Sequence, residues 1–143
     1  MTPTQGEIIY DRLRELEANI KILEGLQQHT LAELEKNPVL YWAVERGLHV
    51  SIESILDIGN FIISSLKLEK PDSYREIILT LGKEGILPED FAVNISTMAG
   101  FRNILVHDYI KVDKKLVYDI LQNKLTDFKQ FTKYIKTYIE GRW

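Results

Sequence analysis

Apolar residues recur at alternating steps of four and three along most of this chain, and no period-two alternation persists anywhere, so its core must be built from helices packed on helices. After Pro3, the residues Ile9, Leu13, Leu16, Ile20 and Leu23 follow that step, with Asp11, Arg12, Arg14, Glu15, Glu17 and Lys21 largely between them. This spacing predicts an amphipathic helix. Gly25 is tolerable within it, and the pattern continues through Leu31 and Leu34 to Asn37-Pro38, where asparagine can cap and proline can take the first turn of a new helix. A second helix is predicted from Pro38 to about Leu66. Its part from Val50 to Leu66 is apolar around most of its circumference, as a central element packed on several sides would be.

Lys67, Glu69, Lys70, Pro71 and Asp72 then read as an exposed connection, and Ser73-x-x-Glu76 has the form of a capping box. A short third helix follows to about Leu81. Gly82, Gly85 and Pro88 break the chain before a fourth helix, read as one piece from Phe91 to Tyr109. Asp113 can cap the last helix, in which Val117, Leu121, Phe128, Ile135 and Ile139 supply a core stripe and Tyr118, Phe131, Tyr134 and Tyr138 add aromatic packing. The predicted architecture is all-α, a four-helix bundle with a short accessory helix.

At 143 residues, 45% of them hydrophobic, the chain has enough apolar material for one compact domain over residues 1–143 and no room for a second. No apolar run approaches the ~20 residues needed to cross a bilayer, and the first residues lack the basic and apolar regions of a secretory signal. A cytoplasmic protein is expected. Cysteine is absent, and the three histidines, His29, His49 and His107, lie too far apart for a short metal-binding motif, so neither a metal nor a cofactor is expected. The net charge of −3 argues against nonspecific binding of nucleic acid, yet it is unevenly placed. Residues 1–100 carry 9 Lys+Arg against 16 Asp+Glu, and residues 101–143 carry 9 against 5. Lys111, Lys114, Lys115, Lys124, Lys129, Lys133, Lys136 and Arg142 can supply a local positive field for a polyanion, or only a solvated helix face.

The residues with the most chemical capacity lie in the run Arg102-Asn103-Ile104-Leu105-Val106-His107-Asp108-Tyr109. Arginine offers a fixed fork of donors for a phosphate, histidine exchanges a proton near neutral pH, and the phenol carries a modifiable hydroxyl. Arg102 falls on the seam Phe91, Ile95, Met98, Leu105, where an aliphatic residue is expected. On a continuous helix Arg102 and His107 point roughly 140° apart. Either the helix loosens before His107, or a second copy of the segment completes the pocket across a two-fold axis. Asn103, one turn before His107, can orient its ring or contact a phosphate. A polar line through the second helix, His49, Glu53, Asp57, Asn60 and Ser64, must face something wet. It fits a solvent strip or the border of a cleft equally well.

The stretch R-N-x-L-V-H-D-Y resembles the Arg-x4-His-x-Tyr signature of HepT-like toxins, a branch of the HEPN superfamily of helical ribonucleases and nucleotide-binding domains. Leu40-Tyr41-Trp42, Asp57-Ile58-Gly59-Asn60-Phe61-Ile62, Pro71-Asp72-Ser73-Tyr74-Arg75-Glu76 and Met98-Ala99-Gly100-Phe101 are similar to that family in order and spacing, so the likeness covers nearly the full length. It implies a HEPN-type bundle that forms a homodimer, and an RNA endonuclease toxin of a type VII toxin–antitoxin pair. Arg102 and His107 are then the catalytic residues, while Asn103, Asp57 and Asn60 support them. The implied partner is a minimal nucleotidyltransferase antitoxin that silences the toxin by moving AMP from ATP to Tyr109.

The corresponding chemistry needs no metal. Neutral His107 takes the proton of a ribose 2′-hydroxyl, that oxygen attacks the adjacent phosphate, and Arg102 stabilises the charge of the transition state. The alternative is a HEPN module that holds nucleotide, or serves a nucleotidyltransferase, without cutting RNA.

Overall fold

In the computed structural model, residues 2–106 and 113–142 are described; they form eight α-helices and no strand. Three of the five expected helices are each divided in two, which accounts for the higher number. The first, α1 (Gln5–Leu26), starts at Thr4, whose hydroxyl accepts the Glu7 amide at 3.1 Å, and buries Ile9, Leu13, Leu16, Ile20 and Leu23 as the spacing required. It does not continue through Leu34. Thr30 and Glu33 form a reciprocal capping box, with the Thr30 hydroxyl taking the Glu33 amide at 3.1 Å and the Glu33 carboxylate taking the Thr30 amide at 3.2 Å, so a separate α2 (Leu31–Lys36) begins there. Leu34 is buried nonetheless.

Asn37 starts α3 (Pro38–Ser65) as expected, its side-chain oxygen accepting the Val39 and Leu40 amides at 3.1 and 3.2 Å. This helix touches α1, α2 and three of the later helices, which is why eleven of its residues, from Tyr41 to Ile63, are buried. Close approach of α4 (Tyr74–Lys83) depends on Gly59, where a Cβ would stand 2.7 Å from Ile77 Cγ2. Ser73 caps α4 by accepting the Glu76 amide at 3.2 Å. Gly85, at φ +74°, then turns the chain towards α5 (Glu89–Ile95).

The expected single helix from Phe91 breaks at Ser96-Thr97, and α6 (Met98–Val106) starts afresh. Both hydroxyls return to the backbone: Ser96 donates to the Val93 carbonyl at 2.7 Å and Thr97 to the Asn94 carbonyl at 2.9 Å. Short-range bonds of this kind compete with the helical ladder. The last helix is likewise divided, into α7 (Lys114–Asn123), capped by Asp113, and α8 (Leu125–Arg142). At that break the Leu121 carbonyl accepts the Gln27 side-chain amide at 2.9 Å, and Gln122 returns a bond to the Gln27 carbonyl at 2.8 Å. Every helix contributes to one apolar core, with Phe128 and Phe131 of α8 among its largest buried side chains. Among the described residues, no helix is long and apolar enough to cross a membrane.

Candidate functional site

Arg102 occupies its apolar seam without wasting its charge. Its side chain is 22% exposed, between buried Met98 and Leu105 on α6, and its Nε donates to Glu53 Oε1 of α3 at 2.6 Å. The guanidinium carbon lies 4.4 Å from the centre of the Tyr74 ring at the start of α4, a cation–π distance. His49, one turn before Glu53, places Nε2 3.5 Å from the same carboxylate oxygen. Three helices distant in sequence therefore meet at one ion pair. Using Nε for Glu53 leaves the terminal nitrogens of the planar fork for another acceptor.

Beside this pair opens a cleft of about 970 Å³. Its walls are part of the polar line of α3, the connection from Lys70 to Ser73 with the start of α4 at Tyr74 and Arg75, and the α6 surface at Ala99, Gly100 and Asn103. Glu53, Asp57 and Asn60 all line it, so this part of the polar line borders a cleft. Burial first, and then the neighbouring Glu53 carboxylate, push the Asp57 carboxyl above its ordinary value, against the opposing pull of Arg12. Asn103 lines the same space from α6. Of the residues singled out in the sequence, the structure thus brings Asp57, Asn60 and Asn103 to one cleft, with Arg102 behind Glu53 and Tyr74 at its edge. His107 and Tyr109 lie outside the described residues.

Three of the basic residues in the C-terminal region have partners within the chain. Lys129 of α8 pairs with Glu24 at 3.0 Å, Lys136 pairs with Glu17 at 2.9 Å, and Lys114 of α7 sits over the Tyr41 ring at 5.1 Å. Those charges are spent in part on the acidic face of α1 and on packing. Two contributors to the site carried no such role in the sequence. Glu53 was visible only as one member of a polar line, and Tyr74 only as the residue after a cap in a stretch similar to the family. A partner 49 positions away in sequence leaves no local periodic signal.

The family model described as "Ribonuclease HepT-like" matches residues 16–135. The chain is 28% identical to the mRNA nuclease HepT of Shewanella oneidensis, over 92% of this chain and 98% of that protein. It is 27% identical to the tRNA nuclease HepT of Aphanizomenon flos-aquae, over 97% of this chain and 95% of the relative. Among solved structures, the tri-AMPylated Shewanella oneidensis HEPN toxin in complex with its MNT antitoxin superimposes with a TM-score of 0.82 at 27% identity, covering 92% of this chain and 98% of that one.

Proposed function

This chain belongs to the ribonuclease HepT-like family, and from that membership we propose that it is a cytoplasmic, metal-independent RNA endonuclease toxin. The observation that carries this reading is the held Arg102: an arginine fixed by Glu53 and Tyr74 at the edge of a polar cleft, in a chain similar over nearly its whole length to two HepT nucleases. Arg102 and His107 are its catalytic pair. His107, in its neutral form, removes the 2′-hydroxyl proton, and the oxygen displaces the 5′-oxygen of the next nucleotide, leaving a 2′,3′-cyclic phosphate and a 5′-hydroxyl. Arg102 meets the charge that develops on the phosphorane. DNA lacks the attacking hydroxyl and is not a substrate.

We read the eight helices as a HEPN-type four-helix bundle: α1 with α2, α3, α5 with α6, and α7 with α8, with α4 as the accessory helix. Two copies pair so that their Arg102-to-Tyr109 segments share one cleft, each supplying what a single helix cannot present. The toxin is silenced by a nucleotidyltransferase antitoxin that adds AMP to Tyr109, seven residues beyond Arg102 in the sequence, placing bulk and phosphate charge where the RNA phosphate must sit. The complex of a tri-AMPylated relative with its MNT antitoxin supports this arm.

The test is cleavage of labelled RNA in the presence of a chelator. Arg102→Ala and His107→Ala should each lower the rate by roughly two orders of magnitude or more. If both cut as fast as the parent, the pair is not the active site; if the parent cuts nothing, the rival reading of a nucleotide-holding module, which draws on the same cleft, replaces this one. Mass spectrometry after co-expression with the antitoxin should find AMP on Tyr109 together with loss of cleavage.

A further inference from the structure

The cleft beside Arg102 has the wrong lining for a phosphate track. Lys70 of the connection and Arg75 of α4 line it, but Glu53, Asp57 and Asp72 do so as well, and Glu53 is already committed to Arg102. Of its other hydrogen-bonding groups, the Ser73, Ser96 and Thr97 hydroxyls are engaged with backbone, whereas the Asp57 carboxylate and the Asn60 and Asn103 amides are exposed and make no side-chain hydrogen bond among the described residues. Amides and carboxylates together can read base edges, whereas a carboxylate repels a phosphate. Tyr74, 38% exposed at the cleft wall, adds aromatic surface against which a base can rest. At about 970 Å³ the space falls within the range of small-ligand sites. The cleft is open beside Gly100, where an added Cβ would meet nothing within 4 Å.

We propose that this cleft is the base-reading subsite of the enzyme, holding the base of a nucleotide next to the scissile phosphate through Asp57, Asn60 and Asn103, and preferring bases with an exocyclic amine over uracil. The proposal rests on the ribonuclease reading above. Its selectivity follows from hydrogen-bond chemistry. An ionised carboxylate only accepts, so the base opposite Asp57 must donate; adenine, cytosine and guanine each offer an amino group. Uracil presents two carbonyl oxygens around a single N–H, and those oxygens face the carboxylate unfavourably. The asparagines can accept or donate, so they accommodate the ring nitrogens of several bases. Such a site gives moderate preference among sequences and no fixed motif.

Binding and cleavage are measured separately. Short fluorescent oligonucleotides of adenine, cytosine or uracil with 2′-O-methyl riboses, which cannot be cut by 2′-hydroxyl attack, are titrated into the parent by anisotropy. The adenine and cytosine oligomers should bind about ten-fold more tightly than the uracil one, the lower part of the range for a paired base contact. Asp57→Asn should shrink the difference to about three-fold or less, and Asn60→Ala, a second exposed change on the same wall, should weaken binding of all three. Gly100→Leu, whose Cβ enters open space, should weaken all three by roughly ten-fold or more.

Equal binding of uracil by the parent, a preference that survives Asp57→Asn, or Gly100→Leu binding as the parent does would each overturn the subsite. Unmodified RNA supplies the other arm. Cleavage without base preference leaves the nuclease reading standing and removes this proposal, whereas preference in binding with no cleavage removes the nuclease reading and leaves a base-selective cleft.

Discussion

At the scale of single residues, the site depends on charges held where solvent only partly screens them. Glu53 and Arg102 are 32% and 22% exposed and 2.6 Å apart, so truncating Glu53 leaves a half-buried guanidinium with its Nε unsatisfied. Glu53→Ala should destabilise the fold by about 1–3 kcal/mol, seen as a lower denaturant midpoint at unchanged slope. Asp57 works in the opposite direction. Its folded pKa lies above the ordinary 3.8, so its contribution to stability is present in acid and is lost as pH rises through the raised value. Ionised Asp57 is therefore a local liability at neutral pH. Asp57→Asn should raise Tm relative to the parent at pH 7, and the gap should close as the pH is lowered below the ordinary aspartate range; a constant gap at all pH values would show that ionisation is not its cause.

The helices reveal where local chemistry outranks periodicity. The apolar step identified the buried residues of α1 correctly but carried the helix past its end, because Leu31 and Leu34 keep the phase while Thr30 and Glu33 impose a new start. That cap is testable. Thr30→Ala removes the acceptor of the Glu33 amide and should cost about 1 kcal/mol, whereas Gly25→Ala, with nothing within 4 Å of the new methyl, should stabilise by about 0.5–1 kcal/mol. Gly59→Ala carries the reverse expectation. Its methyl would meet the stiff β-branch of Ile77 at 2.7 Å, forcing α4 away from α3 and disturbing Tyr74 at the head of α4. Lower Tm together with weaker oligonucleotide binding would be its signature.

For the molecule as a whole, the open question is what covers α3 where its own chain does not. Val39 and Trp42 at its start are 71% and 67% exposed, and farther along the same helix lies the polar line that borders the cleft. We expect sedimentation to give a species of twice 16.6 kDa, with an interface above the ~1,000 Å² of a stable pair. A monomer at working concentration would remove the shared-site arrangement, and with it the explanation of how Arg102 and His107 come to serve one phosphate.

The sequence by itself determined the helical class, the buried stripes, the caps at Asn37, Ser73 and Asp113, and the family, because each is written in neighbours three or four residues apart or in a contiguous motif. It also marked Asp57, Asn60 and Asn103, since polar groups on an apolar helix or beside a reactive arginine stand out locally. Only the tertiary structure decided that Glu53 and Tyr74 hold Arg102, that the Lys70–Ser73 connection and the start of α4 wall a cleft, and that Lys129 and Lys136 answer to the acids of α1. Those pairings join residues tens of positions apart. They depend on the angles at which helices cross, which side-chain packing sets and one-dimensional spacing does not record.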